Sequence, residues 1–270
     1  MEQNPREEVE KMIKGKDLKG LFEKASEFHG HYCHKVVYGV KAGLLAMNEL
    51  IPDSLGEEGG RIVAITDSPG PFCNGIQFVL GLTLGHSDFV VRDMGKLALT
   101  LLKHDNSAVR VSLRPEFLDG FPKRNPELAP LLGGSYGTIP IPEDKKTPLT
   151  IIELMQHIME KMGIKDEEEM KKMMEQMMGT VKAAVLKELE APNEEMFRVE
   201  KKTLDFSRYA PVCQCTHPIV VCEACEEVVF EPYIRVNRGR NLCMECAGEG
   251  YDMLVKGKVT RGGINRREQG

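Results

Sequence analysis

At 270 residues, 41% hydrophobic and 29% charged, the chain is long enough for one large domain or two ordinary ones and reads as globular. Its net charge of -5 gives no general pull toward nucleic acid or membrane, and no apolar run approaches the roughly 18 residues that span a bilayer. The opening "MEQNPREEVEKMIKGKDLKG" is charged throughout and is not a secretory signal, so a cytoplasmic protein is expected, with its eight cysteines read as metal ligands or reactive thiols rather than disulfides.

In chain order, Leu18, Leu21, Phe22, Ala25 and Phe28 are spaced by three and four, which predicts a helix. "CHKVVYGVKAGLLAMNELI" predicts a second, with Val36, Val37, Val40, Leu44, Met47 and Leu50 on one face. "RIVAITDSPGP" reads as a strand and turn, and "FCNGIQFVLGLTLG" as a short helix ending at glycine. "DFVVRDMGKLALTLLKHDN" and "AVRVSLRP" read as strands joined by a turn at Asp105-Asn106. The stretch from Phe121 to Pro148 is rich in Pro and Gly and reads as a long connection. "LTIIELMQHIMEKMG" then predicts a helix closed by Gly163. "DEEEMKKMMEQMMGTVKAAVLKELE" predicts another, striped by Met170, Met173, Met174, Met177, Met178, Val181 and Val185. Such a stripe reads first as a face packed on the core or on a second subunit, and otherwise as an adaptable methionine-lined groove.

Two clusters carry chemistry. In the tail, Cys222 and Cys225, then Cys243 and Cys246, form two C-x-x-C knuckles with seventeen residues between them. Each knuckle aims two thiolates at one centre, and a hairpin joining them makes a tetrahedral four-sulfur zinc site. So small a tail depends on the metal to fold. Just upstream, Cys213, Cys215 and His217 offer either a second, labile site or incidental linker thiols.

The other cluster is "FHGHYCHK", residues 28–35, in the joint between the first two predicted helices. If that joint is extended, alternation puts His29, His31 and Cys33 on one side, and imidazole with thiolate suits zinc, iron or nickel. Cys33 at a helix start is expected to be acidic for a thiol. Cys73, in a turn that also starts a helix, is the expected fourth ligand, with Gln77 or His86 as hydrogen-bond donors behind the site. His34, one residue out of phase, is expected to face solvent or a partner. A competing reading is a bare thiol site with Cys33 as nucleophile and a histidine, His31, as base.

The blocks Phe28-His29-Gly30-His31-Tyr32-Cys33, with Gly39 and Gly43 following, then Gly75-Ile76-Gln77, Gly81, Thr83, Gly85 and Asp93-Met94-Gly95-Lys96, resemble the FmdE family, named for a component of formylmethanofuran dehydrogenase. The resemblance covers roughly residues 17–120 and 200–250. It implies an α+β core, often in an intertwined homodimer, with a zinc finger appended in some members. The chain departs from the family pattern in four places. His34-Lys35 stands in place of Pro-Gly, Asn74 in place of an acidic residue, Leu82 in place of a cysteine and His86 in place of a lysine.

The expected architecture is therefore α+β. It has an N-terminal helix pair with a mostly antiparallel sheet, a helical methionine-rich insertion, and a small C-terminal zinc-ribbon or treble-clef-like finger. The expected divisions are 1–146 for the core, 147–192 for the insertion or dimerisation segment, 193–212 for a return segment and linker, and 213–270 for the finger with its basic tail. The expected function is an FmdE-like metal-binding protein, an accessory or enzymatic component of molybdenum or tungsten formylmethanofuran dehydrogenase metabolism as found in methanogens. A regulatory or adaptor protein, with the finger contacting a partner and the core sensing a metal or metabolite, is the alternative. Apolar faces on the second helix and the methionine helix, together with the resemblance, predict a homodimer. Residues 233–270 hold eight Lys or Arg against four Asp or Glu, too modest an excess and too few aromatics for specific nucleic-acid reading.

Overall fold

The computed structural model describes residues 4–52, 61–128, 153, 156, 159, 163, 166–212, 217–255 and 258–262. Three helices open the chain: α1 (Glu7–Lys14), α2 (Leu18–His29) and α3 (His34–Leu50). Asp17 caps α2 by accepting a hydrogen bond from the Gly20 N–H at 2.9 Å. The three-and-four spacing predicted for α2 buries Leu21, Phe22 and Ala25 completely. Strand β1 (Ile62–Thr66) leads into α4 (Pro71–Leu80), which ends at Gly81 with φ 71°, the left-handed cap that glycine favours.

Helices α3 and α4 cross at glycines. A Cβ on Gly39 would collide with the Phe72 carbonyl oxygen, and one on Gly75 with the Val36 carbonyl oxygen. This close crossing brings the start of α4 against the joint between α2 and α3.

Strands β2 (Phe89–Val91), β3 (Ala98–Lys103), β4 (Ser107–Leu113) and β5 (Phe197–Thr203) complete a five-stranded sheet in the order β2-β1-β3-β4-β5. Only the β1–β2 pair is parallel, so the sheet is mostly antiparallel, as expected. One face sets Ala64, Leu99, Leu101, Val109 and Val111 against the helices. The other sets Val63, Ile65, Leu102 and Ala108 against Leu204, Phe206 and Tyr209. The edge strand β5 lies where the sequence predicts only a return segment and linker.

Two short helices, α5 (Pro115–Asp119) and α6 (Phe121–Arg124), follow β4. The methionine helix α7 (Glu167–Glu190) starts at an Asp166 cap and is followed by a single turn, α8 (Asn193–Met196), before β5. Met170, Met173, Met174, Met177 and Met178 pack against Phe121, Leu128, Met159 and Ala184, the core role expected of the stripe. Near its end, buried Glu188 accepts hydrogen bonds from Tyr38, Arg124 and Asn125, which binds α7 to α3 and α6. The preceding predicted helix falls largely outside the described residues, although Gly163 adopts φ 74°.

The tail contains the hairpins β6–β7 (Ile219–Val221, Val228–Phe230), β8–β9 (Arg235–Asn237, Arg240–Leu242) and β10–β11 (Tyr251–Val255, Lys258–Gly262). Arg238 and Gly239 both take positive φ, 52° and 80°, so "NRGR" closes β8–β9 as a two-residue turn. No helix among the described residues is long and apolar enough to cross a membrane.

Candidate metal centres

In the tail, ligand atoms of Cys222, Cys225, Cys243 and Cys246 all lie within 4.8 Å of one another, so the four cysteines form a group that can hold a metal ion. The two knuckles converge because β8–β9 folds the second back onto the first. The Cys243 N–H reaches Cys222 Sγ at 3.3 Å, and Cys225 Sγ lies 3.9 Å from Cys243 Sγ. Backbone N–H groups of Cys225, Cys243 and Ala224 hold the Cys222 thiol down at about 6, while neighbouring cysteine sulfurs, Cys243 foremost, push Cys246 up to about 12. Four thiols competing for few protons are the donor set a borderline-soft cation such as zinc takes. Cys213 and Cys215 of the upstream cluster lie outside the described residues, and His217 is half-buried.

The second group is His29, His31 and Cys33, again within 4.8 Å of one another. They converge by a different route from the extended joint expected. His29 is the last residue of α2, and Gly30, at φ 96°, ends that helix in the left-handed conformation with its N–H on the Ser26 carbonyl at 2.8 Å. The reversal at Gly30 brings the His31 ring against that of His29, tilted by 41° with centroids 4.4 Å apart. Cys33 follows as the extended N-cap residue of α3.

His29 is fixed at one nitrogen and free at the other. Its Nδ1 lies 3.2 Å from the side-chain amide of Asn74, while Nε2 is buried with no hydrogen-bond partner among the described residues. An orphaned imidazole nitrogen beside a second imidazole and a thiol is what a metal site leaves when described by its protein atoms alone, so these residues fit a transition metal. Burial, and then the neighbouring His31, lowers the His29 pKa. Cys33 departs from the expected acidic thiol. Burial raises its pKa, and the N–H groups of Lys35 and Val36 only partly oppose this.

Three other expectations are corrected. Cys73 does not join the cluster. Its Sγ donates to the Ser68 carbonyl at 2.7 Å and shares a hydrogen bond with Thr66 Oγ1 at 3.2 Å, and burial raises its pKa. The α4 residue facing His29 is its neighbour Asn74, because successive helix positions point about 100° apart. His86 lies away on an exposed 3-10 turn, 4.0 Å from Asp88. His34 points away from the triad as expected, but into the interior, with ring centroids 5.7 Å from Tyr38 and 5.3 Å from Phe121. There desolvation pushes its pKa down to about 3. Gln77 occupies the second turn of α4 with its carbonyl capping Gly81.

A cleft of about 380 Å³ opens beside His31, lined by Glu23, Ser26, Glu27, Gly30, His31 and Tyr32. Sequence reasoning does not find it, since Glu23 and Glu27 read only as solvated helix positions. Lys182 of α7 sits over the Tyr32 ring at 4.5 Å.

Comparison with known proteins bears on this arrangement. A protein of Archaeoglobus fulgidus described as a probable S-adenosyl-L-methionine-binding protein is 29% identical over 245 residues, covering 90% of this chain and 56% of its own length. The chain thus spans little more than half of that relative. A solved FmdE-like protein of the tungsten formylmethanofuran dehydrogenase type, from Syntrophus aciditrophicus, is 18% identical, with a TM-score of 0.48, covering 86% of this chain and 92% of that one. The model of the family described as FmdE, molybdenum formylmethanofuran dehydrogenase operon, matches residues 28–198. That match runs from the first residue of the ligand-bearing joint, through the α3–α4 crossing, to the edge strand β5, and the chain accordingly belongs to the FmdE family.

Proposed function

We propose that this protein is a two-metal FmdE protein in which His29, His31 and Cys33 hold a transition metal beside the cleft, and the four-cysteine finger holds a structural zinc. The observation that carries the core centre is the gathering of ligand atoms of His29, His31 and Cys33 within 4.8 Å of one another, together with a His29 Nε2 that is buried and has no hydrogen-bond partner among the described residues. Three protein ligands leave a coordination position open, the pattern of a working rather than a purely structural site. When bound, the metal supplies Lewis-acid chemistry, while the chain orients His29 through Asn74 and presents the Glu23 and Glu27 carboxylates to whatever enters the cleft. The raised pKa of Cys33 disfavours a bare thiolate nucleophile and favours a thiol that ionises on a metal. Family membership supports an accessory or enzymatic place in molybdenum or tungsten formylmethanofuran dehydrogenase-type metabolism. The test is cobalt substitution in protein whose four finger cysteines are changed to serine: a thiolate-to-cobalt charge-transfer band that disappears on the further change Cys33→Ser supports the centre, and a band unaffected by Cys33→Ser, or no band at all, refutes it.

A second reading concerns the ligand of the cleft. The Glu23 and Glu27 carboxylates suit an organic cation, and the sulfonium of S-adenosylmethionine is one. The cleft carries this reading more than the relative's description does, because that relative extends far beyond the matched span. Titration calorimetry with S-adenosylmethionine against S-adenosylhomocysteine, which lacks only the methyl group and the sulfonium charge, tests it. Preference for the sulfonium, lost in Glu27→Gln, supports the reading, and equal or absent binding removes it.

A further inference from the structure

On the opposite face of the sheet from the helices, a cavity of about 310 Å³ is lined by Asp67, Arg92, Lys96, Arg110 and Lys202, with Met94 and Leu204 supplying apolar wall. Asp67 is fully buried just past the end of β1. It organises the cations around it. Arg92 donates through Nε and Nη2 to its Oδ1 at 2.9 and 2.6 Å, and Arg110 Nη2 lies 2.6 Å from its Oδ2. The Asp67 carbonyl accepts from the N–H groups of Met94 and Lys96 at 3.0 and 3.1 Å. That wraps the Asp93-Met94-Gly95-Lys96 turn, with Gly95 at φ 69°, over the mouth of the cavity.

The charges do not balance within this group. One carboxylate faces two guanidinium and two ammonium groups. At the rim, Glu200 pairs with Lys202 at 2.9 Å, which still leaves two positive charges in excess. Lys96 is exposed, and its ammonium has no partner among the described residues. Both arginines are held by Asp67 in fixed orientations, Arg110 being steadied further by Nη1 on Thr100 Oγ1 at 3.3 Å. Pre-oriented guanidinium forks with an excess of two positive charges match a dianionic phosphate group. The volume lies at the small-metabolite end of ligand pockets, which typically run from about 300 Å³ upward.

We propose that this pocket binds a small phosphate monoester, with its phosphate between Arg92, Lys96 and Arg110 and its organic body against Met94 and Leu204. The site is independent of the metal triad, which lies on the helical side of the sheet.

Calorimetric titration of the full chain with ribose 5-phosphate, ribose and inorganic phosphate tests it. Ribose 5-phosphate binds more tightly than either control, and Lys96→Gln weakens that binding about tenfold, the loss of one charge-assisted contact. Because Lys96 is exposed and its ammonium has no partner among the described residues, the variant keeps the wild-type melting midpoint without ligand, which separates lost binding from lost folding. Arg110→Lys, which keeps the charge opposite Asp67 but removes the fork, also weakens binding. The proposal is overturned if ribose 5-phosphate binds no better than ribose, if Lys96→Gln binds unchanged, or if a single-stranded oligonucleotide is preferred to the monoester.

Discussion

The side-chain amide of Asn74 lies 3.2 Å from Nδ1 of His29, and that contact sets which imidazole nitrogen is left for a metal. The contact shown is from Asn74 Nδ2 to Nδ1, and ligation through Nε2 turns the amide over, so that its oxygen accepts from a protonated Nδ1. Asn74→Ala is expected to weaken core metal binding by about tenfold or more, as for other groups that orient a metal-bound histidine. Asn74→Asp, which restores the acidic residue of the resembling family pattern, is expected to tighten it. Competition against a chromophoric chelator checks both directions, and equal affinities in all three proteins would remove Asn74 from the account.

The finger is expected to depend on its metal. Cys222, Leu242 and Cys243 are its only substantially buried apolar residues among those described, with Val229 and Ala247 packed on them, too small a core to hold three hairpins. Any one of Cys222, Cys225, Cys243 or Cys246 changed to Ser should abolish hydrogen-exchange protection across residues 219–242 and leave β1–β5 protected. Unchanged protection after chelation would contradict this.

Glu188 ties the methionine helix to the core. Its carboxylate, 1% exposed, accepts from Tyr38 at 2.9 Å, from Arg124 at 3.1 and 3.0 Å, and from Asn125 at 3.1 Å. Arg124 also lies over the Phe117 ring at 3.7 Å. Arg124→Ala strands a buried carboxylate and is expected to cost on the order of 3 kcal/mol in chemical denaturation. Tyr38→Phe, which leaves the other donors in place, is expected to cost about 1 kcal/mol.

Lys41 gives a pH dependence of definite sign. Buried in α3, it donates to the Leu189 and Ala191 carbonyls at the end of α7, and desolvation lowers its pKa from 10.5 to about 8 despite Glu188 and Glu194. Between those values the unfolded chain holds the extra proton, so the cost of burying the charge is present in full below about pH 8 and is relieved as the pH rises toward 10.5. The wild type should therefore gain stability relative to Lys41→Met across that window, by up to about 3 kcal/mol. A difference that stays flat or shrinks with rising pH would contradict the assignment.

Helices α2, α3, α4 and α7 and the first four strands were legible because their signals are local: apolar spacing in α2, α3 and α7, and a glycine stop after α4; α1, α5 and α6, short and largely polar, were not. Strand β5 was not. "FRVEKKT" is polar, lies at the sheet edge, and pairs with β4 across a long stretch of intervening chain. The same distinction divides the sites. His29, His31 and Cys33 are neighbours in sequence, so their clustering could be read directly, although the turn at Gly30 rather than an extended joint brings them together. Choosing between Cys73 and Asn74 required the rotational phase of α4, which composition does not give. The cationic pocket was invisible because register alone sets Arg110 of β4 beside Thr100 of β3 and Glu200 of β5.

The central claim is a metal centre in the core separate from the finger, and metal content per folded chain tests it most directly. Protein purified anaerobically under reducing conditions should carry two metal ions per chain by elemental analysis. Cys222→Ser should lose one of them, and Cys33→Ser should lose the other while keeping the zinc of the finger. A wild type with one ion per chain, removed by Cys222→Ser and untouched by Cys33→Ser, would contradict the account.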